Sequence, residues 1–366
     1  MNILVFKPNP RFLDYTLFTR RSRQPVVASR LGNFRGRTDD SADFVASLER
    51  IHFICEQAAG SKIDLITVRS VFGGIAFTKP TLVTPAILNK LEEITPQAPM
   101  HIPLLTALLE SCNTVFRKIP IVLVFETAFF AHLPAREHLY GIGRELTRTL
   151  KIRRYGFHGL FHEAACNSIA RRITPPLNSS PRILSLCMEP HPEIAAVIGF
   201  RPVMTTSGIT PTEGIPGQTT CGEIDPGILL ALSRHHQMGP EQINTILTRQ
   251  SGLTGLMDRP ATFDDLFMSD ASDVQPARDM IMLKMLQFCG AGAAAMGGVD
   301  RLVFSGRYAD AGKIIGPELC KQLTFEGPGT RSPAWSCFNV PLDRIIADRA
   351  ASFALQGSEK ATVVVN

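Results

Sequence analysis

Asn2-Ile3-Leu4-Val5-Phe6-Lys7-Pro8-Asn9-Pro10 stands near the start of the chain, with a second apolar run at Tyr15-Thr16-Leu17-Phe18. Far downstream, Ile183-Leu184-Ser185-Leu186-Cys187-Met188-Glu189-Pro190-His191-Pro192 and Ile194-Ala195-Ala196-Val197-Ile198 repeat that arrangement. Both stretches read as strand, turn and returning strand, the turns being Lys7–Pro10 and Met188–Pro192. Outward from the first hairpin, apolar groups fall near helical spacing over Asp40–Ala58 (Phe44, Leu48, Ile51, Ile54), with Ser41 available as a cap. A strand is expected at Ile63–Val68, helices at Thr84–Ile94 and Ile102–Lys118, and a buried strand at Ile121–Phe125. After the second hairpin come helical patterns at Gly227–His235, Glu241–Thr248 and Ala277–Met296, then a strand at Arg301–Phe304 ending on Ser305-Gly306. Two halves with one plan point to a duplicated α/β architecture with a cleft between lobes.

The composition suits such a protein. Of 366 residues, 45% are apolar and 19% charged, enough to bury two cores. The net charge of +5 comes with no long basic run, so no nucleic-acid partner is expected and a small anion is. No stretch reaches the ~18 apolar residues of a membrane span, and the first apolar run is too short for a signal peptide. Eight cysteines without a C-x-x-C pair read as reduced, mostly buried thiols of a cytoplasmic protein. Proline, at 26 residues, nearly equals glycine at 28, and four prolines (8, 10, 190 and 192) sit at the hairpin turns.

One septet is distinctive: Arg153-Arg154-Tyr155-Gly156-Phe157-His158-Gly159, with His162 three positions on. It resembles a segment of the acetate kinases, members of the sugar kinase, actin and Hsp70 superfamily. Val124–Phe129, Ala98–Pro103, Thr210–Gly214, Gly222–Pro226, Ser251–Leu256 and Gly297–Gly306 are similar to further segments of that family in the same order. The resemblance implies two ribonuclease-H-like lobes of the actin/Hsp70 type, each a duplicated mixed-sheet βββαβα core, with a cleft between them. It places an N-terminal lobe at 1–129, with a C-terminal helix at 345–366 packed on it, and a nucleotide-side lobe at 130–344. It further implies a cytoplasmic homodimer that phosphorylates a short-chain carboxylate with ATP and Mg²⁺, yielding ADP and an acyl phosphate.

Such chemistry needs positioning and charge neutralisation more than covalent help. By resemblance, Arg69 neutralises carboxylate or phosphoryl charge with its two-pronged guanidinium, Glu126 stands at the catalytic aspartate, and His158 directs an N–H at the transferring group. Val71, Met100, Phe157 and Pro211 fall where the family lines its pocket for the substrate's alkyl end, although each reads equally as packing. Lys7, His162 and Gly306 fall on the phosphate and nucleotide side, and Asp343 at a metal ligand. His162 and His101 read equally as satisfied structural histidines.

Several positions depart from the family pattern. Lys7 replaces the asparagine on the metal side, while Pro10, Arg11 and Phe12 replace small hydroxyl residues and Asp14 replaces a lysine. In the second hairpin, Glu189, Pro190 and His191 replace a glycine-rich loop, and proline has no N–H to offer a phosphate. Thr220 stands in place of a second arginine, and Arg307-Tyr308-Ala309-Asp310 in place of the adenosine-side loop. The expected function is therefore a carboxylate kinase with weakened or altered activity. The alternative is a catalytically degenerate relative that binds a ligand or partner.

Overall fold

Ile3–Asn9 (β1) and Phe12–Phe18 (β2) form the first hairpin, and Val27–Gly32 (β3) adds a third antiparallel strand. Leu65–Ser70 (β4) then lies parallel to β1, the two-residue strand Thr81–Leu82 (β5) is outermost, and Ile121–Phe125 (β6) lies parallel to β4. The order across the sheet is β3-β2-β1-β4-β6-β5. All five side chains of β6 are buried, as the unbroken apolar run Ile-Val-Leu-Val-Phe requires of a parallel strand covered on both faces.

The second sheet is built from Arg182–Cys187 (β7), Glu193–Ile198 (β8), Arg201–Thr205 (β9), Arg301–Ser305 (β10) and Ala334–Cys337 (β11). Its order is β11-β10-β7-β8-β9, with β7, β8 and β9 antiparallel and β10 parallel to both β7 and β11. Apart from the short β5, the two sheets share one topology. A three-stranded meander supplies its first strand to a parallel pair, and helices follow. This is the duplicated α/β core of the actin type. The protein, a computed structural model, is described over residues 1–32, 41–170, 173, 180–269, 271–324 and 332–363. It divides into one unit of Met1–Ala131 with Pro341–Asn366, and another of His132–Val340.

Local chemistry places the helices. Pro85–Glu93 starts on Thr84, whose hydroxyl accepts the N–H of Ile87, with proline at its first position. Gln275–Met296 ends at Gly297, whose φ of 69° is the left-handed cap that glycine adopts freely. That helix lays Ile281, Met285, Cys289 and Ala293 into the second core, alongside Leu184, Ala196 and Phe304. Burial pushes the thiol of Cys55 up to about 11 and that of Cys166 up to about 12, so neither is a ready nucleophile.

The first turn differs from its expectation. Lys7, Pro8 and Asn9 belong to β1, opposite Asp14, Leu13 and Phe12, and only Pro10 and Arg11 form the turn. In a two-residue hairpin the closing pair, here Asn9–Phe12, exchanges hydrogen bonds. The Pro8–Leu13 pair does not, so the missing N–H costs this ladder nothing. The C-terminal helix begins at Leu342, three residues before the expected start. The Ser41 cap and residues 364–366 of that helix lie outside the described side chains or residues.

Phe125 is 2% exposed and stacks on Phe77 with ring centroids 4.6 Å apart. Phe125→Ala should cost about 3–5 kcal/mol of stability, read as a lower urea midpoint at unchanged slope.

Candidate active site

The carboxyl ends of parallel strands are where open α/β sheets bind ligands. In the first unit these are the ends of β1, β4 and β6. Arg69 lies opposite Val124 in the β4–β6 ladder, and Glu126 follows the last residue of β6. Arg69 Nε donates to Glu126 Oε1 at 2.6 Å, and the Glu126 side chain is 1% exposed. A carboxylate this deep needs a charged partner, and the guanidinium supplies it while retaining further N–H donors. Thr127 Oγ1 accepts the N–H of Gly73 at 2.9 Å, tying the segment after Arg69 to the turn that carries Glu126. Val71 is half-buried beside this segment, whereas Met100 is exposed. His101 is exposed as well.

The hairpin of this unit offers little to an anion. Pro10 has no N–H, and that of Arg11 is taken by Asn9 Oδ1 at 3.1 Å. Asp14, the reversed charge, is neutralised from the adjacent strand by Arg30 at 2.6 Å and 3.2 Å. Lys7 Nζ contacts Asp343 Oδ1 at 2.5 Å, while Thr16 Oγ1 donates to Asp343 Oδ2 at 2.9 Å. Asp343 thus accepts a hydrogen bond on Oδ2, while its buried Oδ1 meets Lys7 as an ion pair without a hydrogen bond. Among the described residues no group of three or more His, Cys, Asp or Glu side chains could hold a metal ion. The residues at Asp343 do not fit a magnesium ion.

In the second unit His158 precedes the helix Gly159–Ala170 with a φ of 48°, a left-handed conformation uncommon for a side chain of this size. A strained residue needs restraint. His158 Nε2 donates to the carbonyl of His191 at 3.0 Å. One residue back, the N–H of Phe157 donates to both oxygens of Glu193 at 3.0 and 3.1 Å. Glu193 is 1% exposed and also accepts from Thr205 Oγ1 at 2.5 Å. His162 is fully buried, its Nδ1 2.8 Å from Ser185 Oγ and its Nε2 3.6 Å from Glu193. Arg154 pairs with Glu213 at 2.5 Å, and the N–H of Tyr155 reaches the carbonyl of Gly208 at 2.9 Å. These contacts join the segment of Phe157 to that of Pro211.

The loop Met188–Pro192 is stitched to its neighbours at every turn. The N–H of Met188 donates to Ser305 and that of Tyr308 to Met188, while Gln218 donates to Pro190. Gly306, with φ 88°, passes so close that an added Cβ would lie 2.9 Å from the Met188 carbonyl. Glu189 Oε1 accepts the N–H of Arg307 at 2.7 Å, which spends one backbone donor beside Gly306 on the protein itself. His191 Nδ1 lies 3.1 Å from the buried Thr220 Oγ1. Both hairpins have fewer backbone donors to offer a polyphosphate, because Pro10 and Pro190 have no N–H and the N–H groups of Arg11 and Arg307 are taken from within the protein.

Glu193, Thr205, Ser185 and His191 form no part of the expected site. Glu193 alone carried a visible signal, an acid opening the otherwise apolar strand Glu-Ile-Ala-Ala-Val-Ile. Burial, and then the nearby His158, lower His191 from 6.5 to about 4. Between those values the unfolded chain binds a proton that the folded one refuses, so the contribution of His191 to stability is fully present above about 6.5 and is lost as pH falls through about 4. His191→Gln should shrink the stability difference between pH about 7.5 and about 5 by roughly 2 kcal/mol, measured by urea unfolding.

A sequence model described as the acetokinase family matches residues 32–353. The chain is 32% identical to an acetate kinase of Clavibacter sepedonicus over 351 residues, 94% of this chain and 82% of that one. Identity is 33% to an acetate kinase of Alkaliphilus metalliredigens over 73% of this chain and 68% of that one. In fold it is similar to the crystal structures of Porphyromonas gingivalis acetate kinase (TM-score 0.79, 21% identity, 96% of this chain and 99% of that one) and a Francisella tularensis propionate kinase (0.79, 22%, 96% and 99%). No helix among the described residues is long and apolar enough to cross a membrane.

Proposed function

This chain belongs to the acetokinase family, and from that premise we propose that it is a carboxylate kinase with altered phosphate handling. A carboxylate oxygen of a short-chain acid takes the terminal phosphoryl group of ATP, the bond to ADP breaks, and an acyl phosphate forms. The observation that carries this reading is the Arg69–Glu126 pair at the carboxyl ends of two neighbouring parallel strands. Arg69 binds and orients the anionic group, and Glu126 holds the guanidinium in place. His158, fixed by Glu193 through the Phe157 N–H, contributes a ring N–H to the developing charge once it leaves the His191 carbonyl. Val71 and Met100 in the first unit, and Phe157 and Pro211 in the second, stand at positions that the family resemblance gives to the alkyl end. Family membership supports a homodimer working in the cytoplasm.

A second reading is favoured by a specific pair of contacts. Asn9 on the Arg11 N–H and Glu189 on the Arg307 N–H occupy donors from inside the protein. Binding of a carboxylate or acyl phosphate without turnover fits those contacts as well.

Trapping acyl phosphate with hydroxylamine, from ATP, Mg²⁺ and acetate, propionate or butyrate, separates the two. The kinase reading expects turnover that Arg69→Ala lowers at least ~10²-fold. Turnover no higher than in that variant would leave only the binding reading.

A further inference from the structure

Lys7 and Asp343 are far apart in sequence, yet their side chains are in direct contact at 2.5 Å, each 21% exposed. We propose that the Lys7 ammonium is the resident cation at this end of the first unit, seated against Asp343 where the family resemblance places a metal ligand. The inference deepens the carboxylate-kinase reading and rests on it for its catalytic meaning.

The register makes the placement unavoidable. Thr16 pairs with Val5, and Lys7 lies two residues beyond Val5, so Lys7 and Thr16 project from one face of the hairpin. Asp343, in the first turn of the helix Leu342–Val363, meets both. A protonated lysine has three donors and no lone pair, so it cannot ligate a metal, and its charge repels one. Magnesium demands an octahedron of oxygens at about 2.0–2.1 Å. Here the Lys7 ammonium stands 2.5 Å from the buried Asp343 Oδ1, an ion pair without a hydrogen bond, and the Thr16 hydroxyl donates to Oδ2. The neighbouring acid on the hairpin, Asp14 opposite Lys7, is held by Arg30 and adds nothing.

The exchange alters the ligand the site suits. One ammonium against one carboxylate is a neutral pair, whereas a divalent ion there would leave net positive charge. The Arg69–Glu126 pair is neutral for the same reason. Two neutral pairs offer directed N–H donors with little net field. That matches an anion of low charge, a carboxylate or an acyl phosphate, better than a polyphosphate.

Mn²⁺ binding, followed by electron paramagnetic resonance without nucleotide or carboxylate, tests this. Wild type and Asp343→Asn should show the same weak Mn²⁺ binding. Lys7→Asp, which faces two carboxylates across the same gap, should bind Mn²⁺ at least ~10-fold more tightly than wild type and melt higher in its presence. Adding Asp343→Asn to that variant should abolish the gain. A wild-type Mn²⁺ site that Asp343→Asn removes would overturn the proposal. So would a folded Lys7→Asp protein, by circular dichroism, that gains no Mn²⁺ affinity. Should Lys7→Asp not fold, Lys7→Asn takes its place with the same expected gain, and the comparison of wild type with Asp343→Asn stands unaltered. The assay contains neither substrate, so a protein without turnover still answers it, and loss of the kinase reading is not mistaken for loss of this one.

Discussion

A carboxylate with 1% of its surface in water cannot stand alone, and each unit has placed one at its working end. Glu126 is answered by a full charge, the Arg69 guanidinium. Glu193 is answered by a backbone N–H and a hydroxyl, with His162 at 3.6 Å. Leaving a buried charge without its partner costs about 3–5 kcal/mol, so these contacts hold the fold as well as the chemistry. Arg69 serves the stability of its strand ends and, in the proposed reaction, the binding of an anion as well. The backbone at Phe157 and His158 takes its course because the Glu193 carboxylate needs donors.

Four polar residues that depart from the family pattern, Lys7, Asp14, Glu189 and Thr220, are met from within the protein. Asp14 is closed by Arg30, Glu189 by the Arg307 N–H, Asp343 by Lys7 and Thr16, and Thr220 by His191. Polar groups that would face a bound phosphate elsewhere here face each other. Each such contact lowers the free energy of the unliganded protein, and a ligand that needed those donors would have to break it.

Much of the fold was legible in the sequence because its signals are local. The apolar runs bracketing Lys7–Pro10 and Met188–Pro192 announce hairpins, and the continuous run of β6 announces a buried parallel strand. The septet ending at Gly159 identifies the family. The strands β3, β5, β9 and β11 were missed: β3, β5 and β11 are short and mostly exposed or half-exposed, and β9 opens on Arg-Pro, with no alternation of apolar and polar residues to mark it. The strand course through Pro8 was missed because its cost depends on which ladder pair the proline occupies. Arg69, Glu126 and His158 could be named singly as candidates, but their restraints could not. Thr16 and Asp343 stand 327 residues apart, and no spacing rule links them. Glu189, read as one of the residues replacing a glycine-rich loop, accepts the Arg307 N–H, and only the tertiary contact shows it.

The first unit is discontinuous, resuming at Pro341 after the whole of the second. That order of assembly has a kinetic side. As the chain leaves the ribosome, β1 to β6 are complete long before the helix beginning at Leu342 exists, so Lys7 waits for its counter-ion and the sheet face beneath that helix waits for its cover. The second unit, contiguous in sequence, has all its strands by Cys337 and can close first. Maturation of the Lys7–Asp343 pair then follows synthesis of the second unit, and a chain that stops short of Pro341 carries an apolar sheet face whose safe passage depends on how quickly the later residues appear.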